Sequence, residues 1–289
     1  MSEALQPGGR PAGRQPQEIP RFDAYIFDLD GTLYLDEQPI AGAPEAVAAL
    51  RAGGAQVAFV TNNPLSTAAT YAERLTAIGI PADPDEVTTS VDALIDYLGA
   101  QHPRRTLLAV AERVVIESLR AAGYLVTSEP TEADVVVVSF DRTFDYAKLT
   151  AAYRAVRERG AVIVATNPDP YCPTADGGLP DCAAMLAAIE ACTGARAEAV
   201  VGKPNRQMVE TVLRRIAIEP SRTAVVGDRL MTDVAMGQAA GASGVLVLSG
   251  ATRASDVDTD PVTPDYVIDS VSDLVGGSQA PAEPNRRDR

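Results

Sequence analysis

Short, continuous apolar runs alternate with amphipathic stretches from residue 21 to about residue 275. Runs of that kind suit strands buried on both faces, the form that parallel sheets take. Residues 24–27, 56–60, 223–226 and 244–248 fit it, and 266–268 reads as a last short strand. Helical spacing covers about 44–51, 67–78 and 232–240. The middle of the chain has a set of its own, with strands at 106–110, 135–140 and 162–165 and helices at 113–122 and 146–159. This alternation predicts an α/β protein with a parallel sheet and crossover helices. The middle stretch is the size of a domain. It therefore reads as an insertion, 100–195, in a core made of 21–99 and 196–275. Residues 1–20 and 276–289 read as disordered ends, and no fixed-period repeat points to a solenoid.

Composition narrows the function. A hydrophobic content of 46% is ample for a core, and a net charge of −14 argues against nucleic acid or an anionic membrane as the main partner. An acidic protein can still bind phosphate where a metal ion and a lysine act locally. No apolar stretch approaches the ~20 residues of a membrane span, and the first residues lack a secretory h-region. Cys172, Cys182 and Cys192 lack paired C-x-x-C spacing. They read as reduced, mostly buried thiols of a cytoplasmic protein. His102 is the only histidine, and no G-x-S-x-G turn accompanies it, so a serine or cysteine triad is disfavoured.

Four segments carry chemistry, each at the end of an apolar run: Asp28 to Thr32, Thr61-Asn62, Gly202-Lys203-Pro204, and Gly227 to Asp233. In an extended backbone Asp28 and Asp30 would point the same way, and they would repel unless a cation or proton lay between them. A turn or capping pair is the plain alternative. Thr61 and Asn62 offer neutral donors to phosphate oxygens, although Thr-Asn-Asn-Pro is also a turn signal. Lys203 precedes a helix expected from about residue 205, which favours a phosphate contact over a solvated charge. Asp228 and Asp233 bracket a loop that opens the 232–240 helix. Carboxylate-rich ligation there suits Mg2+, and it is compatible with N-capping by Thr232 or Asp233. Strand ends on one edge of a parallel sheet gather into one crevice. The segments together therefore predict a site for a divalent cation and a phosphate, with a carboxylate left over to attack phosphorus.

In this order and with these gaps, the segments resemble the haloacid dehalogenase-like (HAD) hydrolase superfamily. The first fits its D-x-D-G-[TV] signature and the others its Thr/Ser, Lys and G-D-x4-D elements. Over about residues 22–274 the chain is similar to subfamily IIA, the group of NagD and the pyridoxal, phosphoglycolate and p-nitrophenyl phosphatases. The resemblance implies a Rossmann-like, doubly wound parallel sheet core with an inserted α/β C2-type cap domain. It implies Mg2+-dependent hydrolysis of a small phosphomonoester through an aspartyl-phosphate, the substrate being a sugar or polyol phosphate, phosphoglycolate or similar. Asp28 is then nucleophile and metal ligand, and Asp30 is general acid/base with its carbonyl on the metal. Thr61 and Lys203 hold the phosphoryl group, Asn62 positions it, Asp228 binds the metal, and Asp233 supports it through water. Asn167 and Asp169, with Tyr171, follow the 162–165 strand in a loop that the resemblance turns toward substrate; a Pro-rich turn is the alternative. A homodimer through the cap is a further implication.

Asp181 departs from the subgroup, which carries Gly after the proline; it either caps the following helix or adds a charge that selects substrate. Two other classes remain in view: a phosphoryl-accepting signalling module, and a catalytically idle relative that binds a ligand. The inserted domain and Asp30 oppose the first, and the complete acidic set opposes the second.

Overall fold

A computed structural model describes residues 19–36, 38–172 and 178–275. In chain order the elements begin with β1 (Ala24–Asp28), β2 (Tyr34–Leu35), β3 (Gln38–Pro39), α1 (Ala43–Ala52), β4 (Gln56–Thr61) and α2 (Ala68–Ala77). Next come β5 (Val87–Thr89), α3 (Ser90–Gln101), β6 (Leu107–Val110), α4 (Arg113–Ala121), β7 (Val135–Val138), α5 (Tyr146–Arg154) and β8 (Val162–Ala165). After these lie β9 (Tyr171–Cys172), β10 (Leu179–Pro180), α6 (Cys182–Thr193), β11 (Ala199–Val200) and α7 (Gln207–Ile216). The last are β12 (Thr223–Gly227), α8 (Ala235–Ala239), β13 (Ser243–Val247) and β14 (Tyr266–Ile268). The described residues fall into two compact units. One holds those up to Thr61, residues 69–88, and those from Val209 onward; the other holds 62–68 and 89–208.

The first unit is built on a six-stranded sheet in the order β14-β13-β12-β1-β4-β5. β1 runs parallel to both β12 and β4, with Phe27 opposite Val226 and Phe59, and Asp28 opposite Val60. Every residue of β1 and β12 is buried, as expected where helices cover both faces. Tyr25 and Phe27 stack with ring centroids 6.1 Å apart. Helix α1 shows how the apolar spacing works: Ala43, Ala46, Val47 and Leu50 recur three to four residues apart and are its buried face. Glu45 in its first turn and Arg51 in its last complement the helix dipole.

The second unit has a four-stranded parallel sheet in the order β11-β8-β7-β6. β7 is four consecutive valines, all buried. Val136, Val138, Ile163, Cys182 and Ile189 join one core cluster, and burying each Val or Ile side chain contributes roughly 1.5–3 kcal/mol. Asp181 caps α6, its side chain accepting the Cys182 N–H at 2.5 Å. The capping expectation for this residue is the one the fold uses.

The expected insertion, 100–195, lies inside this second unit, but the unit reaches further at both ends. Residues 89–99 join it because α3 packs with α4. Thr89 starts that helix in a capping box with Asp92, a Thr-x-x-Asp signal legible in the chain. Residues 196–208 join it because 199–200 form β11 beside β8. Lys203 therefore follows a strand of the four-stranded sheet, not of the sheet that carries Asp28. The 232–240 helix also differs. Leu230–Val234 is a π-helical turn and only Ala235–Ala239 is α-helical, because the Arg229 carbonyl accepts from both Asp233 and Val234 N–H. Of the expected disordered ends, residues 1–18 and 276–289 lie outside the described residues, whereas Ile19 is buried. Among the described residues no helix is long and apolar enough to cross a membrane.

Candidate active site

Three neighbouring strands of the first unit end in chemistry. Asp28 is the last residue of β1, Thr61 the last of β4, and Asp228 follows β12. β1 lies between the other two strands, so these ends are neighbours by register. Asp233 comes one helical turn later and turns back, its Oδ2 accepting the Arg229 N–H at 3.1 Å. Asp28, Asp228 and Asp233 are all buried, and each offers a carboxylate oxygen within 4.8 Å of the others. Carboxylates held so close repel one another unless a cation sits among them. An all-oxygen set of this kind fits a hard divalent ion, so these residues fit the metal that the motifs imply.

Glycines and small residues hold this cluster. At Gly31, with φ +84°, and at Gly250 a Cβ would overlap the Asp228 carboxylate; at Gly227 it would overlap Asp233. The loop after β13 wraps Asp228: Ala251 N–H donates to its Oδ2 at 2.6 Å, and Thr252 N–H donates to its carbonyl at 3.1 Å. Ser249 Oγ donates to the Gly31 carbonyl at 2.8 Å, and Thr32 Oγ1 lies 3.4 Å from Asp28 Oδ2. Ser249, Gly250 and Ala251 belong to none of the four motif segments. Their signal was a run of small residues directly after an apolar strand.

Asp30 is placed differently from Asp28. The extended backbone stops at Asp28, because the Leu29 carbonyl turns to accept from Thr32 and Leu33 N–H. Asp28 is then buried and Asp30 exposed, so the two carboxylates do not share one environment. Behind the turn Tyr34 is fully buried, with the Arg74 guanidinium 4.3 Å from its ring centroid. Burial, and then the Asp30 carboxylate, push the Tyr34 phenol well above its ordinary pKa and keep it protonated.

The remaining site residues form a second cluster, in the second unit. Asn62 Oδ1 accepts the Lys203 N–H at 2.8 Å, and its Nδ2 donates to the Lys203 carbonyl at 3.1 Å and to Asp169 Oδ2 at 2.9 Å. The Asn62 carbonyl accepts from Ser90 Oγ at 2.7 Å and from Asn167 Nδ2 at 3.2 Å. Asn167 Oδ1 in turn accepts the Asp169 N–H at 3.0 Å. Gly202 lies too close to the Thr166 carbonyl, Asn62 Oδ1 and Asn167 Cβ for any side chain. Lys203 and Asn167 are buried. Asn62, Lys203, Asn167 and Asp169 are thus brought together, whereas Tyr171 is half exposed in the short β9 strand. Thr61 and Asn62 are consecutive, and the division between the two units falls between them.

Two family descriptions match the chain: haloacid dehalogenase-like hydrolase over residues 25–125, and HAD-hydrolase-like over 200–274. The sugar-phosphatase AraL of Bacillus subtilis is 34% identical over 249 residues, which is 86% of this chain and 90% of that protein. The crystal structure of a 4-nitrophenylphosphatase from Thermotoga maritima superposes with a TM-score of 0.84 at 32% identity, covering 89% of this chain and 98% of that one. A glycerol phosphate phosphatase from Mycobacterium tuberculosis, solved in complex with calcium, gives 0.80 at 31%, covering 90% of this chain and 75% of that one.

Proposed function

Because the chain belongs to the haloacid dehalogenase-like hydrolases, we propose that it is a Mg2+-dependent phosphatase of small polyhydroxy phosphomonoesters, sugar or polyol phosphates, working through a phosphorylated Asp28. The observation that carries this reading is the buried trio of Asp28, Asp228 and Asp233 with oxygens within 4.8 Å of one another. The relatives named for sugar and glycerol phosphates support the substrate class. A relative solved in complex with calcium supports a divalent cation as the ligand. Thiols at Cys182 and Cys192 outside any disulfide fit a cytoplasmic setting.

Asp28, Asp228 and Asp233 would hold the metal, with the Asp30 carbonyl completing the protein's share. When bound, Mg2+ offsets the negative charge of the phosphoryl oxygens and of the attacking carboxylate. An Asp28 carboxylate oxygen attacks phosphorus while the bond to the ester oxygen breaks. Asp30, protonated at that moment, gives its proton to the departing oxygen. Lys203 and Thr61 hold the phosphoryl oxygens as charged and neutral donors. Asp30, now ionised, takes a proton from a water molecule; the resulting oxygen attacks phosphorus, releases phosphate and restores the Asp28 carboxylate.

The test is release of phosphate from p-nitrophenyl phosphate and a panel of sugar and polyol phosphates, with and without Mg2+, by the wild type and by Asp28→Asn. Turnover that needs Mg2+ and vanishes in the variant is expected. Undiminished turnover in purified Asp28→Asn without deamidation would sink the reading. A signalling module would take up one phosphoryl group and stop, and an idle relative would take up none.

A further inference from the structure

We infer that Asn62 acts on the reaction through the backbone of Lys203 rather than through the substrate, as the positioning residue of a clamp in which Asp169 and Asn167 set its orientation. The inference rests on the phosphoryl-binding role proposed above for Lys203.

The geometry is that of a two-point pairing. One side-chain amide reads both the N–H and the C=O of a single residue, at 2.8 and 3.1 Å, as a neighbouring strand would read them. The two partners are 141 positions apart in the chain, so the pairing fixes a long-range contact with one side chain. An amide has two donors and an acceptor. Here the oxygen accepts from Lys203, and the nitrogen donates to Lys203 and to Asp169 Oδ2 at 2.9 Å. Those bonds commit both hydrogens of the side-chain amide, one of the groups with which Asn62 was expected to meet phosphate oxygens.

Orientation is decided by Asp169. With the amide reversed, Oδ1 would face the Asp169 carboxylate and the Lys203 carbonyl, three acceptors without a donor, and its NH2 would face the Lys203 N–H. Such an arrangement leaves buried polar groups unsatisfied and costs far more than the bonds it replaces. Asn167 sets the other end, holding the Asn62 carbonyl at 3.2 Å together with Ser90 Oγ at 2.7 Å. Its Oδ1 also holds the Asp169 N–H at 3.0 Å. Gly202 completes the device, because any Cβ there would collide with Asn62 Oδ1 and the Thr166 carbonyl and push the Lys203 segment off the amide. A lysine side chain has four rotatable bonds and carries a large rotamer entropy. Fixing its backbone at both polar atoms narrows the directions in which its ammonium can be aimed. Asn167 and Asp169 thereby gain a role in the reaction that needs no contact with the substrate.

A double-mutant cycle tests this. Asn62→Ala in the wild type is expected to lower kcat/KM about tenfold or more, with the same division between kcat and KM that Lys203→Ala shows. In the Lys203→Ala background the same substitution is expected to cost less than about twofold, because the lysine it positions has gone. Asp169→Ala, at a half-buried position, removes the acceptor of the Asn62 Nδ2–H and serves as the second variant should Asn62→Ala fail to fold. It too should lower turnover in the wild type and do nothing further in Lys203→Ala. Losses that add in the double variants would show Asn62 or Asp169 meeting the substrate directly, and would overturn the inference alone. Full turnover in Lys203→Ala by itself would bring down the role of Lys203, and the inference with it.

Discussion

Gly31 and Asp228 stand so close that no side chain fits between them: a Cβ on Gly31 would overlap the Asp228 carboxylate, at a backbone φ of +84°. Gly31→Ala therefore carries two penalties, a left-handed backbone that costs roughly 1–2 kcal/mol for an L-residue and a displaced carboxylate. Gly123 has φ +90° with nothing within 4 Å of its would-be Cβ, so Gly123→Ala carries the first penalty only. Both variants should lose thermal stability, Gly31→Ala the more because of the added clash, and only Gly31→Ala should lose turnover and Mg2+ affinity. Melting curves and titration calorimetry on the pair measure this, and equal activity in the two would contradict the cradle.

Asp30→Asn should separate the two halves of the reaction. Asp28 is intact in that variant, so a substrate with a good leaving group, such as p-nitrophenyl phosphate, needs little proton donation for the first transfer. Hydrolysis of the acyl-phosphate, which needs a base, should be slowed by about 100-fold or more. Rapid quench should show a burst of about one p-nitrophenolate per enzyme, with acid-stable label on Asp28. A linear time course from the first millisecond would count against Asp30 as the base.

Metal binding should be readable without turnover. Buried carboxylates relieved by a cation stabilise the folded state by mass action, about 2.7 kcal/mol at a hundred times the dissociation constant. Mg2+ should raise the melting temperature of the wild type and EDTA should reverse it. Asp228→Asn should flatten the response. Asp233→Asn should weaken it less, because an amide oxygen can still accept the Arg229 N–H. No thermal response to Mg2+ in the wild type would remove the metal from the trio.

Cys182 lies in the second unit's core with its thiol 3.4 Å from the Val138 carbonyl, and burial pushes its pKa up to about 12. An unfolded cysteine ionises near pH 8.5. A raised folded value means stability fully present below about pH 8.5 and lost as pH climbs toward 12. Cys182→Ala should start less stable but flatten that alkaline decline. At pH 8, Ellman's reagent should label the exposed Cys192 at once and leave Cys182 untouched until denaturant is added; equal labelling rates would refute the assignment.

Glu198 has the opposite sign. Hydrogen bonds from Tyr97 Oη at 2.7 Å and from His102 Nε2 at 2.6 Å hold its carboxyl below the usual range. The stability it supplies is present above the unfolded value of about 4.3 and lost as pH falls through the folded one. Glu198→Gln should therefore shrink the stability difference between pH 6 and pH 3, read from urea midpoints. An unchanged difference would leave the cluster without energetic weight.

The chain made some of this legible and hid the rest for physical reasons. Strands β1, β4 and β12 are buried along nearly their whole length, so their unbroken apolar runs announce them, and the gathering of Asp28, Thr61 and Asp228 at their ends follows from parallel topology. Helix α3 is faint in the sequence although Thr89 and Asp92 carry its start signal, because small residues and a glycine dilute its apolar stripe of Val91, Leu94 and Leu98. The two-residue β11 is too short for its sequence to reveal that it pairs with β8, so the chain alone places Lys203 with the core and the structure places it after a strand of the four-stranded sheet. Asn62 was recognised as a site residue, but its partner lies 141 positions away, and no local pattern encodes that distance.

β1 has a neighbour along each edge, β12 on one side and β4 on the other. A strand so placed cannot peel from a rim; two ladders must part before its amides meet solvent. Asp28, proposed above as the residue that is phosphorylated, thus hangs from an interior timber of its unit, one that the rim strands β14 and β5 must precede in coming loose. Heat or urea would be felt at the water-facing turn of Asp30 well before it reached Asp28.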